Sequence, residues 1–211
     1  MNPNPYPKLH PGLNLGPAHG AAHEGSEATL FGFWVFLMSD LITFGILFAT
    51  YAASTGPMAI AGGPGPTDLF DLGSVGMQTA FLLASSLTCG MAMLAMKYGE
   101  NVSQVRLWLV VTALLGAGFL AFELRDFASM MAHEGTPMRS AWLSSFYALV
   151  GLHGLHIVMG LLWILTMLAL IQVQRLSNKV KTRLLMFSLY WHFLDVIWIG
   201  IFSVVFLAGF A

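Results

Sequence analysis

The chain has 211 residues, 57% of them hydrophobic and 9% charged, with a formal net charge of −1. An ordinary soluble domain carries roughly 25% charged residues, so 9 basic and 10 acidic side chains are too few to keep this much apolar surface in water. The balanced charge offers no footprint for nucleic acid or anionic lipid, and the single cysteine, Cys89, excludes disulfides and cysteine-based metal centres. An integral membrane protein remains.

In chain order, residues 1–28 come first: Pro3, Pro5, Pro7, Pro11 and Pro17 fall here, with no apolar run. Without an apolar core the stretch is not a cleavable signal peptide and is predicted to be a disordered polar tail. Its histidines, His10, His19 and His23, are candidate metal ligands by type, although a solvated flexible tail is the simpler reading. Five apolar stretches follow, at residues 30–53, 74–96, 107–123, 141–172 and 184–210. Each has the length of roughly 17 residues or more that a helix needs to cross a ~30 Å hydrocarbon core. Lipid gives the backbone no hydrogen-bond partner, so the spans must be helices or barrel strands. No ten-residue alternation of the barrel kind is present. The predicted fold is therefore an all-α bundle of five transmembrane helices. Residues 54–73, with Gly62-Gly63-Pro64-Gly65-Pro66, are predicted to be a helix-breaking loop.

Five spans place the termini on opposite sides. The N-terminal side carries Lys8, Lys97, Arg106, Arg175, Lys179, Lys181 and Arg183, while the other carries only Arg125 and Arg139. The positive-inside rule then puts the N-terminus in the cytoplasm and the C-terminus in the periplasm.

Ionisable residues inside the spans are the candidate functional residues. These are Asp40 in the first span, Glu123 at the end of the third, His153 and His156 in the fourth, and His192 and Asp195 in the fifth. A central carboxylate costs roughly 2.5–3.5 kcal/mol on insertion scales, so its retention calls for a reason. His153 with His156 and His192 with Asp195 are three apart, which puts each pair on one helix face. The expectation is a buried hydrogen-bond network between the fourth and fifth spans. Glu123, beside Arg125 and Asp126, is expected either to pair locally or to reach the interface. A dinuclear carboxylate centre would want Glu-x-x-His on two helices. Here the pairs are His-x-x-His and His-x-x-Asp, so no metal or haem is expected on this chain. Gly116, Gly118, Gly151, Gly154 and Gly160, with Ser85, Ser86 and Gly90, suit close helix packing. Trp34, Trp108, Trp142 and Tyr190 are expected to anchor span ends in lipid.

Three segments carry a resemblance. Phe33-Trp34-Val35-Phe36-Leu37-Met38-Ser39-Asp40, Gly151-Leu152-His153-Gly154-Leu155-His156 and Tyr190-Trp191-His192-Phe193-Leu194-Asp195-Val196-Ile197-Trp198 occur in the order found in subunit III of the haem-copper respiratory oxidases. The similarity runs from Phe31 to the C-terminus and is nearest to the cytochrome bo-type, ubiquinol-oxidising branch, with five spans rather than seven. The resemblance implies a subunit with no redox centre of its own. It implies haems and copper in a neighbouring catalytic subunit I, further partners in subunit II and a small subunit IV, and phospholipid held in a cleft. It also implies a bacterial inner membrane and a role in steadying the proton-uptake machinery of subunit I. Asp40 falls where the family has a membrane-embedded carboxylate, usually Glu, and Glu123 matches another family acid.

Alternatives to a quinol oxidase subunit are a five-helix cytochrome c oxidase subunit III, a small proton or ion transporter with Asp40, His153, His156, His192 and Asp195 as relay, and a membrane metalloenzyme. Transporters show internal repeats and helices broken at the binding site. Neither is visible in the sequence.

Overall fold

The computed structural model describes residues 19–60, 72–99, 101–132 and 135–210, and every regular element among them is helical. In order these are α1 (His19–Ala53), the short α2 (Pro57–Ile60), α3 (Leu72–Leu94), α4 (Val102–Ala132), α5 (Ala141–Gln174) and α6 (Asn178–Ile201). A π-helical turn, Ala95–Gly99, extends α3, while a π segment, Phe202–Leu207, and a 3₁₀ turn, Ala208–Phe210, extend α6. Five of these helices are long and apolar enough to cross a membrane: Gly25–Ala53, Leu72–Tyr98, Val102–Ala132, Ala141–Gln174 and Asn178–Leu207.

The helices outrun the apolar stretches that announce them. The third runs over Val102–Ala132 rather than 107–123, because Arg106, Glu123, Arg125 and Asp126 end a hydropathy plateau without interrupting the backbone ladder. The first begins at His19 rather than near residue 30. After Pro17 nothing in the sequence prevents helix, so residues 19–28, read as tail, continue α1 toward the N-terminus. The loop after α1 holds α2, with Pro57 at its first position, where a missing N–H costs nothing. The remainder of that loop through residue 71, and the tail with His10, lie outside the described residues. The side chains of His19 and His23 do too.

Local signals set the ends of α5. Ser140 caps its start, its Oγ accepting from the Leu143 N–H at 3.1 Å. Its end is closed by Arg175 at φ 50°, whose N–H donates to the Ile171 carbonyl at 3.1 Å.

α3, α4, α5 and α6 close a ring in which each helix packs on the next and α6 returns to α3, while α1 leans on α5 and α6. The core of the ring is aromatic. Trp142, Trp191 and Trp198 are fully buried, and each indole N–H meets a hydroxyl on another helix: Tyr51 at 3.2 Å, Ser85 at 3.0 Å and Thr79 at 3.0 Å. Trp142 and Tyr190 therefore belong to the core and not to a lipid-facing belt, because a buried partner is available for each polar tip. Tyr190 donates to the carbonyl of His156 at 2.9 Å. Two glycines make room for Trp191: a Cβ on Gly116 or Gly160 would come within 2.8 or 2.7 Å of the indole.

Candidate functional site

The six ionisable residues singled out in the sequence do not form one network. They are distributed over separate seams of the bundle, each with its own partners.

Asp40 on α1 faces His156 on α5, with His156 Nε2 3.3 Å from Asp40 Oδ2. The two are close without the alignment of a hydrogen bond. The other ring nitrogen, Nδ1, lies 2.8 Å from the carbonyl of Leu152. A carbonyl only accepts, so Nδ1 carries a proton and donates it. Nε2 and Oδ2 then face each other with lone pairs unless one further proton lies between them. The two are thus polar neighbours across the α1–α5 seam, in contact but not hydrogen-bonded. They border a groove lined by Phe36, His156, Met159, Leu162, Trp163, Thr166 and Tyr190.

His192 and Asp195 on α6 face α3 rather than the histidines of α5. Ser86 meets the first of them, its Oγ 2.6 Å from His192 Nδ1. Asp195 Oδ1 is buried and has no partner among the described residues.

His153, expected beside Asp195, instead sits with 0% exposure among Phe44, Phe119 and Trp198, and neither ring nitrogen has a partner among the described residues. Glu123 neither reaches the interface nor pairs with Arg125. It is 3% exposed, and its carboxylate packs against α5 where Gly154 has no side chain; a Cβ there would lie 2.8 Å from Oε1. One turn further along α4, Asp126 Oδ2 accepts from Ser74 Oγ at 2.7 Å and Gln78 Nε2 at 2.6 Å, tying α4 to α3.

The expected α5–α6 network therefore resolves into an α1–α5 pair, an α3–α6 cluster and two isolated buried groups. The helices are neighbours as expected, but three-residue spacing fixes only which residues share a face. It does not say which neighbour that face meets. The residues missed were the hydroxyl and amide partners: Ser86, Ser74, Gln78, and the Thr88–Thr112 pair that joins α3 to α4 at 2.8 Å. Ser86 was visible only as a small packing residue. Among the described residues no three His, Cys, Asp or Glu side chains gather as a metal-ligand group.

Comparison with known proteins places this arrangement. The family model for cytochrome c oxidase subunit III matches residues 16–210. The chain is 46% identical to a cytochrome bo(3) ubiquinol oxidase subunit 3 of Pseudomonas aeruginosa, over 92% of each chain. It is 39% identical to a quinol oxidase subunit 3 of Bacillus subtilis, over 88% of this chain and 90% of the relative. It is 43% identical to a cytochrome c oxidase subunit 3 of Bacillus sp. strain PS3, over 92% of this chain and 91% of the relative. With five helices among its described residues long and apolar enough to cross a membrane, and a carboxylate–histidine pair between the first and fourth of them, this chain belongs to the cytochrome c oxidase subunit III family.

Proposed function

We propose that the chain is the non-catalytic subunit III of a terminal quinol oxidase, passing electrons from ubiquinol to oxygen in a bacterial inner membrane. The observation that carries this reading is the 46% identity, over 92% of each chain, to a cytochrome bo(3) ubiquinol oxidase subunit 3. The geometry agrees with a supporting role. Polar side chains are used one or two at a time to join helices, and the haems and copper of the reaction belong to a partner subunit I, with subunit II and a small subunit IV beside it. The N-terminus is assigned to the cytoplasm and the C-terminus to the periplasm from the distribution of lysine and arginine. The groove bordered by His156 and Trp163 is apolar along most of its length and suits a phospholipid acyl chain, with the Asp40–His156 pair at its wall.

A second reading, subunit III of a cytochrome c oxidase, draws support from the 43% identity to the relative of that name. A transporter relay fits less well: the described spans run as unbroken helices through their centres, whereas transporter sites sit at helix breaks.

The test is purification through an affinity tag on this chain from its native membrane. A haem-bearing partner should come with it, and the isolate should oxidise ubiquinol and not reduced cytochrome c. Isolation without any haem protein overturns the subunit assignment, and oxidation of cytochrome c alone moves it to the second reading.

A further inference from the structure

His156 carries an acceptor that the described residues leave unused. Its Nδ1 donates to the Leu152 carbonyl at 2.8 Å, so Nε2 keeps its lone pair. Nε2 faces Asp40 Oδ2 at 3.3 Å without a hydrogen bond. Of these two atoms Oδ2 is buried and Nε2 is not. The histidine side chain is 20% exposed and lines the groove along α5. At 1.5 Å per residue it stands about 22 Å from Ala141 and about 27 Å from Gln174, and Asp40 about 22 Å from Gly25 and about 20 Å from Ala53. An accessible lone pair therefore opens sideways at mid-span, where no water supplies a donor.

Depth and chemistry narrow what can meet it. A phospholipid carries its polar atoms in the interfacial region, and its acyl chains have no donor to bring to mid-span. The occupant must dissolve in hydrocarbon and still carry an O–H or N–H at that depth. The groove also suits a flat ring, since Phe36, Trp163 and Tyr190 line it with aromatic surface. Met159 and Leu162, both exposed, continue it as an apolar track. A hydroquinone with an isoprenoid tail has both parts: phenolic O–H donors on a ring, and a tail that follows the track an acyl chain would take. Ubiquinol is also the membrane-dissolved substrate of the reaction proposed above.

We propose that the α1–α5 groove is a non-catalytic quinol site, in which a phenolic O–H of ubiquinol donates to His156 Nε2 while its ring packs among Phe36, Trp163 and Tyr190. The assignment rests on the functional reading above and adds a substrate-holding role for this chain. It carries a redox selectivity. Ubiquinone has only carbonyl and ether oxygens to offer, all acceptors, so oxidation removes the donor that Nε2 needs. The groove holds the reduced form and releases the oxidised one.

Photolabelling of the tagged, haem-bearing complex with a diazirine-bearing ubiquinol tests it, under anaerobic conditions and again with the oxidised probe. The reduced probe is expected to label peptides of this chain around Phe36 and Met159, and unlabelled ubiquinol should compete. The oxidised probe should label them about fivefold less, the worth of one hydrogen bond. Asp40→Asn gives His156 Nε2 an internal amide N–H, so it should lower labelling by the reduced probe about fivefold. His156→Phe removes the acceptor and should do the same. Should that variant fail to assemble, Asp40→Asn still decides. Met159→Trp, at an exposed position, should fill the groove and abolish labelling. Label confined to partner subunits, label that ubiquinol does not compete, or equal labelling by both redox forms overturns the site. Native-level labelling of Asp40→Asn overturns it too. If the tagged chain isolates without haem, or the complex does not oxidise ubiquinol, the functional reading has failed. If the complex oxidises ubiquinol and the label lies elsewhere, the groove assignment alone has failed.

Discussion

Cζ3 of Trp191 stands 2.7 Å from the point where a Cβ on Gly160 would lie. The indole of α6 thus occupies space that α5 leaves by having no side chain there, and Gly116 does the same from α4. One buried ring fixes the spacing of three helices. Gly160→Ala must push the indole or the helix aside, and overpacking of this kind costs about 1–3 kcal/mol. Gly151→Ala, on the same helix with nothing within 4 Å of the new Cβ, should change stability by less than about 0.5 kcal/mol. Thermal inactivation of the assembled complex checks this. Equal midpoints for the two variants would refute the wedge.

Arg175 holds the only described non-glycine residue at positive φ, 50° with ψ −147°, where α5 turns toward α6. A Cβ is disfavoured there and glycine is not. Arg175→Gly is therefore expected to stabilise by about 1 kcal/mol through relief of backbone strain. The same thermal assay decides it, and a lower midpoint would mean that the arginine side chain contributes more than its backbone costs.

Much of this molecule was legible from composition and charge. Lipid dictates helix, and about 120 apolar side chains dictate roughly five of them. Helix ends were less legible, because hydropathy stops at Arg106 and Glu123 whereas hydrogen bonding continues to Ala132. The candidate site was legible as a set of residues but not as pairs. Asp40 stands as a lone acid on its helix, and the hydroxyls nearest it in sequence, Ser39 and Thr43, bond their own backbone at the carbonyls of Phe36 and Ser39. Its neighbour is His156, 116 positions along the chain. That pairing depends on the rotation of α1 against α5, which periodicity cannot supply when a helix is apolar on every side. Ser86 shows the same limit: a serine reads as a small residue until the opposite helix turns out to present His192.

Topology follows from charge alone and is open to direct test. A phosphatase fusion, active only in the periplasm, should be active in the loop after α1 and inactive between α5 and α6, near Lys179 and Arg183. The basis is seven basic residues on one side against two on the other. The reverse pattern would invert the orientation proposed for every span.

The Asp40–His156 pair separates a structural duty from a proton-carrying one. Because His156 Nδ1 donates to the Leu152 carbonyl, its Nε2 is the nitrogen that faces Asp40. Asparagine at position 40 presents an amide N–H to that nitrogen without an ionisable proton. Leucine presents nothing. Asp40→Asn is therefore expected to assemble normally, while Asp40→Leu should weaken the α1–α5 seam and lower the amount of intact complex. Among the described residues no hydrogen-bonded chain of side chains leads on from the pair. On α1 the next described acid is Glu27, thirteen residues away, or about 20 Å at 1.5 Å per residue. The hydroxyl of Tyr190 is committed to the His156 backbone carbonyl rather than to its ring. Ubiquinol oxidation and proton pumping by the Asp40→Asn complex in reconstituted vesicles should thus stay within about twofold of native, well short of the loss that follows removal of an essential proton-transfer group, typically 10²-fold or more. If pumping is abolished while the subunit stays bound, Asp40 belongs to a proton pathway.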